Sequence, residues 1–198
     1  MVDHYFSEKP ESKLMIKSVN VKVRGFDLKM KLASGTFASK RLDKGSVLLA
    51  ENMQIKANDV ILDLGCGSGL IGIIASFLTR NTVYMVDVNK RACEISKVNA
   101  EQNHAKVKIL CGNMFDPVKN LRFDTILLNP PQTAGNKVCF EMIEQAFRHL
   151  KKTGTLQIVA RHNKGGKSLS ERMRQEFGNV ETVAKKGGYR IYVSQKGL

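Results

Sequence analysis

Apolar and polar residues recur along this chain in two periods, and the switch between them predicts its secondary structure. Apolar runs typical of buried strands occur at Val60–Leu64, Thr82–Asp87, Val107–Cys111, Phe123–Asn129 and Thr155–Ala160. Segments with helical periodicity separate them, at Leu70–Thr79, Lys90–Gln102, Lys137–Lys151 and Lys167–Phe177. Such alternation predicts an α/β fold with a doubly wound, mostly parallel sheet.

The last two predicted strands break the parallel pattern. Val180–Ala184 and Tyr189–Val193 flank Lys185–Gly188, a four-residue loop that contains two glycines. So short a connection joins antiparallel strands. The sheet of seven strands should therefore end with an antiparallel strand.

Residues 1 to about 55 precede this repeating pattern. We expect them to form a short, β-containing extension to a catalytic core at 56–198, all within one domain. Phe26–Leu32 alternates at the strand period, Ser34-Gly35 predicts a turn, and Thr36–Ala38 is predicted to return as a second strand. Asp43 is predicted to cap a helix through Val47–Ala50.

Composition limits the partners and the location. Hydrophobic residues make up 42% of the 198 residues, but the net charge of +14 is high and favours a polyanionic partner. A cationic surface with no specific partner is the alternative. The start of the chain, Met1–Ser7, is too polar for a signal peptide, and no apolar stretch is long enough to span a membrane, so we expect a cytoplasmic protein. The cysteines lack metal-ligand spacing and suggest reduced thiols without a metal: Cys66, Cys93, Cys111 and Cys139.

A glycine-rich turn follows the first strand of the core, in Asp63-Leu64-Gly65-Cys66-Gly67-Ser68-Gly69. Its glycines permit positive φ and let the backbone approach a nucleotide-like cofactor. Because Gly67, Gly69 and Gly72 also fit the dinucleotide fingerprint, a nicotinamide cofactor stays open, as does a tight turn without a ligand. Asp63 favours a cofactor that carries an ammonium group.

Two polar residues follow the next strands. Asp87 ends the second core strand, where an acidic side chain accepts hydrogen bonds from ribose hydroxyls. Capping of the next helix is its alternative role. Asn113, just past the third strand, is placed to accept from an adenine amine or to form a turn.

Asn129-Pro130-Pro131, directly after an apolar strand, is the more discriminating motif. Two prolines fix φ and remove donors, so the loop presents the Asn129 side-chain oxygen and the Pro130 carbonyl oxygen. Two such acceptors can hold both hydrogens of a planar amine and direct its lone pair toward an electrophile. A structural loop is the alternative.

This combination resembles the class I S-adenosylmethionine-dependent methyltransferases, over roughly Val60 to Val193. Upstream segments resemble, more narrowly, the ribosomal small-subunit guanine-N2 methyltransferases, and above all their short, single-domain archaeal members. Those segments are His4-Tyr5-Phe6-Ser7, Gly35-Thr36-Phe37-Ala38-Ser39 and Leu42-Asp43-Lys44-Gly45-Ser46-Val47-Leu48-Leu49.

The resemblance implies roles for individual residues. Asn129 and Pro130 would be catalytic, holding the target amine, with Pro131 beside the substrate. The implied cofactor residues are Asp63, Gly65, Cys66, Gly67, Gly69, Asp87 and Asn113. The segment from Phe37 to Ser46 would line the pocket. Gln132 departs from the aromatic residue that many Asn-Pro-Pro enzymes carry next, and the extra N-terminal domain of bacterial members has no counterpart.

Basic residues follow the fifth core strand, on the crevice side of the predicted sheet. Arg161, Lys164 and Lys167 are expected to bind substrate phosphates, with a solvated loop as the alternative. Tyr5 and Phe6 would cover the cofactor, stack on a base or pack in the core.

The sequence thus favours a methyltransferase that uses S-adenosylmethionine to modify an exocyclic amine of RNA, first of all guanine N2 of ribosomal RNA. An adenine-N6 or protein-glutamine methyltransferase has the same motif. Less favoured are a nicotinamide-dependent oxidoreductase and a non-catalytic RNA-binding module.

Overall fold

Nine strands and five α-helices make up most of the part of the chain that the structure, a computed structural model, describes, which is residues 13–36 and 41–198. The strands are β1 Ile16–Val23, β2 Phe26–Ala33, β3 Ile61–Leu64, β4 Val83–Asp87, β5 Val107–Cys111, β6 Phe123–Leu128, β7 Leu150–Arg161, β8 Glu181–Lys186 and β9 Tyr189–Gln195. The helices are α1 Lys44–Asn52, α2 Leu70–Ser76, α3 Lys90–Gln102, α4 Asn136–His149 and α5 Lys167–Phe177.

The main sheet has seven strands in the order β5-β4-β3-β6-β7-β9-β8. Strands β5, β4, β3, β6 and β7 are parallel, and β9 runs antiparallel to both β7 and β8. This confirms the predicted fold class, including the antiparallel last strand. The predicted four-residue hairpin loop is shorter, because β8 extends to Lys186 and only Gly187-Gly188 turns, both with positive φ.

Alternate residues of the buried strands face two hydrophobic clusters. Ile61 of β3 and Val83 of β4 face the cluster that contains α1 and α2, whereas Leu62 and Leu64 face the cluster of α4 and α5. Because both faces are covered, β3 is apolar apart from Asp63, and the one charged residue of β4 is Asp87 at its end.

Two helix boundaries differ from the sequence prediction. Helix α2 ends at Ser76 rather than Thr79, with Phe77 as its C-cap. Helix α4 ends at His149, and β7 begins directly at Leu150 rather than at Thr155. Leu150 pairs with Phe123 and Thr155 with Thr125, and the irregularity between them includes Thr153 at φ +61°.

The N-terminal hairpin differs from the prediction. Strand β2 pairs with the unpredicted strand β1, joined at Arg24-Gly25, where both residues have positive φ. A return strand is predicted at Thr36–Ala38, but Thr36 lies in a bend after the turn at Ser34-Gly35, so the prediction is wrong there. Phe37 and Ala38 lie outside the described residues. The alternation of Val19, Val21 and Val23 is the sequence pattern that identifies β1.

Asparagine side chains of α3 tie this hairpin to the core. The buried Asn99 amide accepts from Lys31 N at 2.7 Å and donates to Lys31 O at 2.9 Å, as a neighbouring strand would. Asn99 also donates to Ser68 O of the glycine-rich turn at 2.8 Å. One turn further on, Asn103 pairs in the same way with Lys29. The hairpin is thus joined, through Asn99, to the glycine-rich turn that follows β3.

Asn99→Ala should destabilise the fold more than Asn103→Ala. The first change leaves polar backbone groups of Lys31 and Ser68 unpaired in the interior, which costs about 1–3 kcal/mol. The second affects bonds that are open to solvent, where water replaces the amide. Urea unfolding of both variants measures the free energies, and equal losses would contradict the role of Asn99.

Candidate functional site

The carboxyl ends of β3, β4, β5, β6 and β7 meet at one edge of the sheet. The register places Leu64 beside both Val86 and Leu128, Asp87 beside Cys111, and Leu128 beside Ile158. The loops that follow these residues border a single crevice, as expected for an open α/β sheet.

A cavity of about 300 Å³ occupies this crevice. Apolar side chains such as Val86, Met114 and Met142 form much of its wall, and Gly65, Asp87, Asn113 and Asn129 bring polar groups to it. A narrower pocket continues from Gly65 and Asn129, past Cys66 and Gly67, to Asp43 and Ser46. A cavity of this size and mixed character suits a nucleoside.

The glycine-rich turn has the conformation that its sequence requires. Gly65 and Gly67 have φ of +73° and +55° and border the pockets. Gly69 and Gly72 serve the packing of α2 instead, since a Cβ on Gly72 would lie 2.6 Å from Met85 Sδ and one on Gly69 2.9 Å from Met85 Cε. The two later glycines therefore bring α2 onto β4.

Asp87 holds the turn in place. Its Oδ2 accepts from Gly67 N at 2.8 Å and its Oδ1 accepts from Asn89 N at 2.9 Å. Asn89, and not Asp87, caps α3, because its side chain accepts from Ala92 N. The capping alternative for Asp87 is therefore wrong, and its half-buried carboxylate borders the cavity with lone pairs to spare.

Asp63 lies behind the turn rather than on the cavity wall. It is fully buried, and its Oδ2 accepts from Gly72 N at 2.8 Å, while its Oδ1 has no hydrogen-bond partner among the described residues. Burial, with a smaller contribution from the charge of Asp87, raises the pKa of Asp63 to about 7. Burial also raises the pKa of Asp87. A cation bound nearby would stabilise the ionised form of both carboxyl groups and lower their pKa values again.

The Asn129 side chain is held by residues from the start of α1. Its Nδ2 donates to Asp43 Oδ2 at 2.8 Å and to Ser46 Oγ at 2.9 Å. A carboxylate only accepts, so the amide nitrogen must face Asp43. Asn129 Oδ1, which accepts no hydrogen bond from the described residues, is left for a ligand. Asp43 also caps α1 through Ser46 N, as predicted.

The two prolines have different positions. Pro130 is buried, and its carbonyl oxygen already accepts from Gln132 N at 2.8 Å, which leaves one lone pair for a substrate. Pro131 borders the cavity directly. Asn113 also borders it with an exposed side chain, while its carbonyl oxygen begins a turn by accepting from Asp116 N.

Gln132 joins the Asn-Pro-Pro loop to the basic loop that follows β7. Its Oε1 accepts from Arg161 N at 2.8 Å, and its Nε2 donates to Lys164 O at 2.8 Å. The Arg161, Lys164 and Lys167 side chains are exposed at the crevice edge. The structural reason for glutamine in place of an aromatic residue is this connection.

Three residues contribute to the site in ways that the sequence does not predict. The sequence indicates Asp43 only as a helix cap, and Asp43 and Ser46 together only as part of a pocket-lining segment, not as partners of Asn129. Gln132 stands out in the sequence only as a departure from an aromatic residue. Tyr5, Phe6 and the segment 37–40 lie outside the described residues.

Within the described ranges, no three His, Cys, Asp or Glu side chains are grouped to hold a metal ion. No helix in residues 13–36 and 41–198 is long and apolar enough to cross a membrane.

Comparison with known proteins identifies the class. The chain matches the family described as methyltransferase small domain over residues 27–193. The uncharacterized protein YbxB of Bacillus subtilis is 40% identical over 99% of this chain and 100% of its own. Ribosomal RNA small subunit methyltransferase C of Haemophilus influenzae is 32% identical over 84% of this chain and 51% of its own. The chain therefore spans about half the length of that methyltransferase.

A solved structure has the same fold. The T. thermophilus 16S rRNA N2 methyltransferase, solved with AdoMet and guanosine, aligns with a TM-score of 0.80 at 21% identity, over 94% of this chain and 52% of that one. The fold is that of a class I methyltransferase. The chain belongs to the methyltransferase small domain family, which confirms the resemblance in its motifs. YbxB, which is matched over its whole length, is a bacterial relative of similar size.

Asp63→Asn should remove a pH dependence of stability. The pKa of Asp63 is about 7 in the folded chain, but an unfolded aspartate titrates near a pKa of about 4. Between these values the folded state retains a proton that the unfolded state has released. Wild type should therefore lose stability relative to the variant as the pH rises from about 4 to about 7, with no further loss above that. Urea unfolding across this range measures the difference, and a constant value would refute the raised pKa.

Proposed function

We propose that this protein methylates an exocyclic amine of RNA with S-adenosylmethionine as cofactor, and that the amine is guanine N2 of ribosomal RNA. The observation that carries the proposal is the bonding of Asn129, which borders the crevice: its nitrogen donates to Asp43 and Ser46, and its oxygen accepts no hydrogen bond from the described residues. An acceptor so fixed suits an N–H donor of the substrate.

The crevice residues fit this cofactor. S-adenosylmethionine carries an activated methyl group on a sulfonium, so it supplies the reactive chemistry. Asp87 would accept from the ribose hydroxyls, Asn113 would contact the adenine, and the backbone at Gly65 and Gly67 would approach the methionine part. Buried Asp63, whose Oδ1 is unpaired among the described residues, would release its proton more readily once the positively charged cofactor is bound, and its carboxylate would then attract that charge.

The protein's own task is orientation. Asn129 Oδ1 and the free lone pair of the Pro130 carbonyl oxygen would hold the two amine hydrogens, so that the nitrogen lone pair points across the crevice. Fixing two reactants in this way contributes at most about 7–11 kcal/mol to lowering the barrier. The amine becomes positively charged as it reacts, and both oxygens stabilise that charge. No strong base is required, because a cationic amine loses its proton to water.

Charge and kinship support RNA as the substrate. The net charge of +14 suits a polyanion better than a protein loop, and the related enzymes named above act on ribosomal RNA by their names. We place the reaction in the cytoplasm.

Adenine N6 and a protein glutamine stay as alternative acceptors, and nucleoside analysis of RNA treated with the purified protein separates them from guanine.

Asn129→Ala should abolish most of the methyl transfer while cofactor binding is kept. Loss of Oδ1 leaves the amine free to shift, and misplacement on this scale costs about 100-fold in rate. Single-turnover rates at saturating cofactor and RNA measure the loss, and calorimetry measures cofactor affinity. Asn20→Ala, which removes an exposed amide from β1, is the matched control. Rates equal to wild type would make Asn129-Pro130-Pro131 a structural loop only.

Asp87→Ala should instead weaken the binding of the cofactor. The variant loses a carboxylate that would accept hydrogen bonds from the ribose, worth about 1.5–3 kcal/mol, and that accepts from Gly67 N. The expected loss of S-adenosylmethionine affinity is roughly 10- to 150-fold. Calorimetry on the folded variant tests this, and unchanged affinity would remove Asp87 from the site.

A further inference from the structure

A separate polar pocket of about 250 Å³ lies next to the Asn129 site, on the other side of Asp43. Arg41, Lys44 and Arg161 bring three exposed cationic side chains to it. Asp43 borders both sites, because the oxygen that accepts from Asn129 Nδ2 belongs to a carboxylate in the pocket wall. A group bound here would therefore lie beside the target amine.

Tyr189 gives this pocket a fixed wall. Its ring packs so closely on α1 that a Cβ on Gly45 would lie 3.0 Å from Tyr189 Cε1. The Arg161 guanidinium carbon lies 5.6 Å from the centre of the same ring, in cation–π contact. Burial and the charge of Asp43 raise the pKa of Tyr189 above its usual value, although the nearby charges of Arg161 and Arg41 oppose this shift. Two of the three cations thus adjoin one half-buried ring.

Among the described residues, no carboxylate forms an ion pair with any of these three cations. The ion pairs within residues 13–36 and 41–198 are Lys151–Asp124, Arg172–Glu144 and Arg172–Glu176, all away from this pocket. Asp43 is the one acidic residue that the described part of the chain brings to the wall, and its Oδ2 already accepts from Ser46 N and Asn129 Nδ2. The pocket therefore has excess positive charge.

Lys44 is in an unfavourable place for its own helix. It is the first residue of α1, where the helix dipole repels a cation. An anion bound in the pocket would offset this repulsion. Further cations lie nearby, since desolvation and then the charges of Arg190, Lys167 and Lys185 lower the pKa of His162.

We propose that Arg41, Lys44 and Arg161 bind the phosphate group adjacent to the target nucleotide in RNA. This rests on the proposed function, since it places the phosphate by the amine that Asn129 holds. Guanidinium groups bind phosphate oxygens in pairs, and the Lys44 ammonium adds a third donor. The pocket would fix the nucleotide by its backbone, and Asn129 would select the amine on its base.

The test compares paired charge removals. Arg41→Gln with Lys44→Gln empties the pocket of two cations, and Lys56→Gln with Lys119→Gln removes two exposed cations that precede β3 and β6 at the opposite edge of the sheet. For each double variant and wild type, binding of a labelled single-stranded RNA is measured over a range of salt concentrations. Single-turnover methylation is measured with that RNA, with guanosine and with guanosine monophosphates.

The pocket variant should bind RNA about tenfold more weakly, and its log–log salt slope should fall by about 0.7 for the lost phosphate contact. Its rate with guanosine, which has no phosphate, should match wild type, and the control variant should keep the wild-type slope. Equal slopes in the two double variants, or an equal loss of rate on guanosine and RNA, would overturn the proposal.

If the proposed methylation is wrong, the same experiments give a result that differs from failure of the phosphate site. If wild type methylates no nucleoside and no RNA while the pocket variant still shows the reduced salt slope, the methylation proposal fails and the phosphate site stands. Thermal melting shows whether the pocket variant is folded, and removal of the Lys44 charge should leave α1 intact or slightly more stable.

Discussion

The hydrogen bond between Asn129 Nδ2 and Asp43 Oδ2 is the contact on which the arrangement of this site depends. It joins the start of α1 to the end of β6, two elements that are far apart in the chain. The same carboxylate oxygen caps α1, so the helix begins where the Asn129 amide needs a partner. The start of α1 and the orientation of the Asn129 amide are therefore coupled through one carboxylate oxygen.

A second set of amides extends this coupling to the cofactor edge. Asn99 connects β2 with the glycine-rich turn, and Asn89 donates to Gly35 O while its side-chain oxygen caps α3. Residues 13–36 are thus attached to the elements that form the crevice. The hairpin also supplies Val23, Leu28 and Met30 to the hydrophobic cluster of α1 and α2, so it shares a core with the main sheet.

The sheet could be predicted from the sequence because its strands are buried on both faces and their apolar runs are continuous. The hairpin was harder to predict, since Val19, Val21 and Val23 alternate with exposed polar residues and the sequence also favours a competing strand from Thr36. Asp87 and Asn129 could be identified because strand ends converge on one edge. Their partners could not, because the contacts of Asn129 with Asp43 and Ser46 join residues more than 80 positions apart in the chain.

Gln132 has an implication for how this site can change. This residue directly follows Asn-Pro-Pro, and its side chain both accepts from Arg161 N and donates to Lys164 O. A phenylalanine side chain offers neither a donor nor an acceptor, and a tryptophan side chain offers only a donor, so neither can replace both bonds. A purely aromatic stacking surface at this position would therefore remove both side-chain bonds that join two loops of the crevice, so base stacking and loop attachment compete for a single residue.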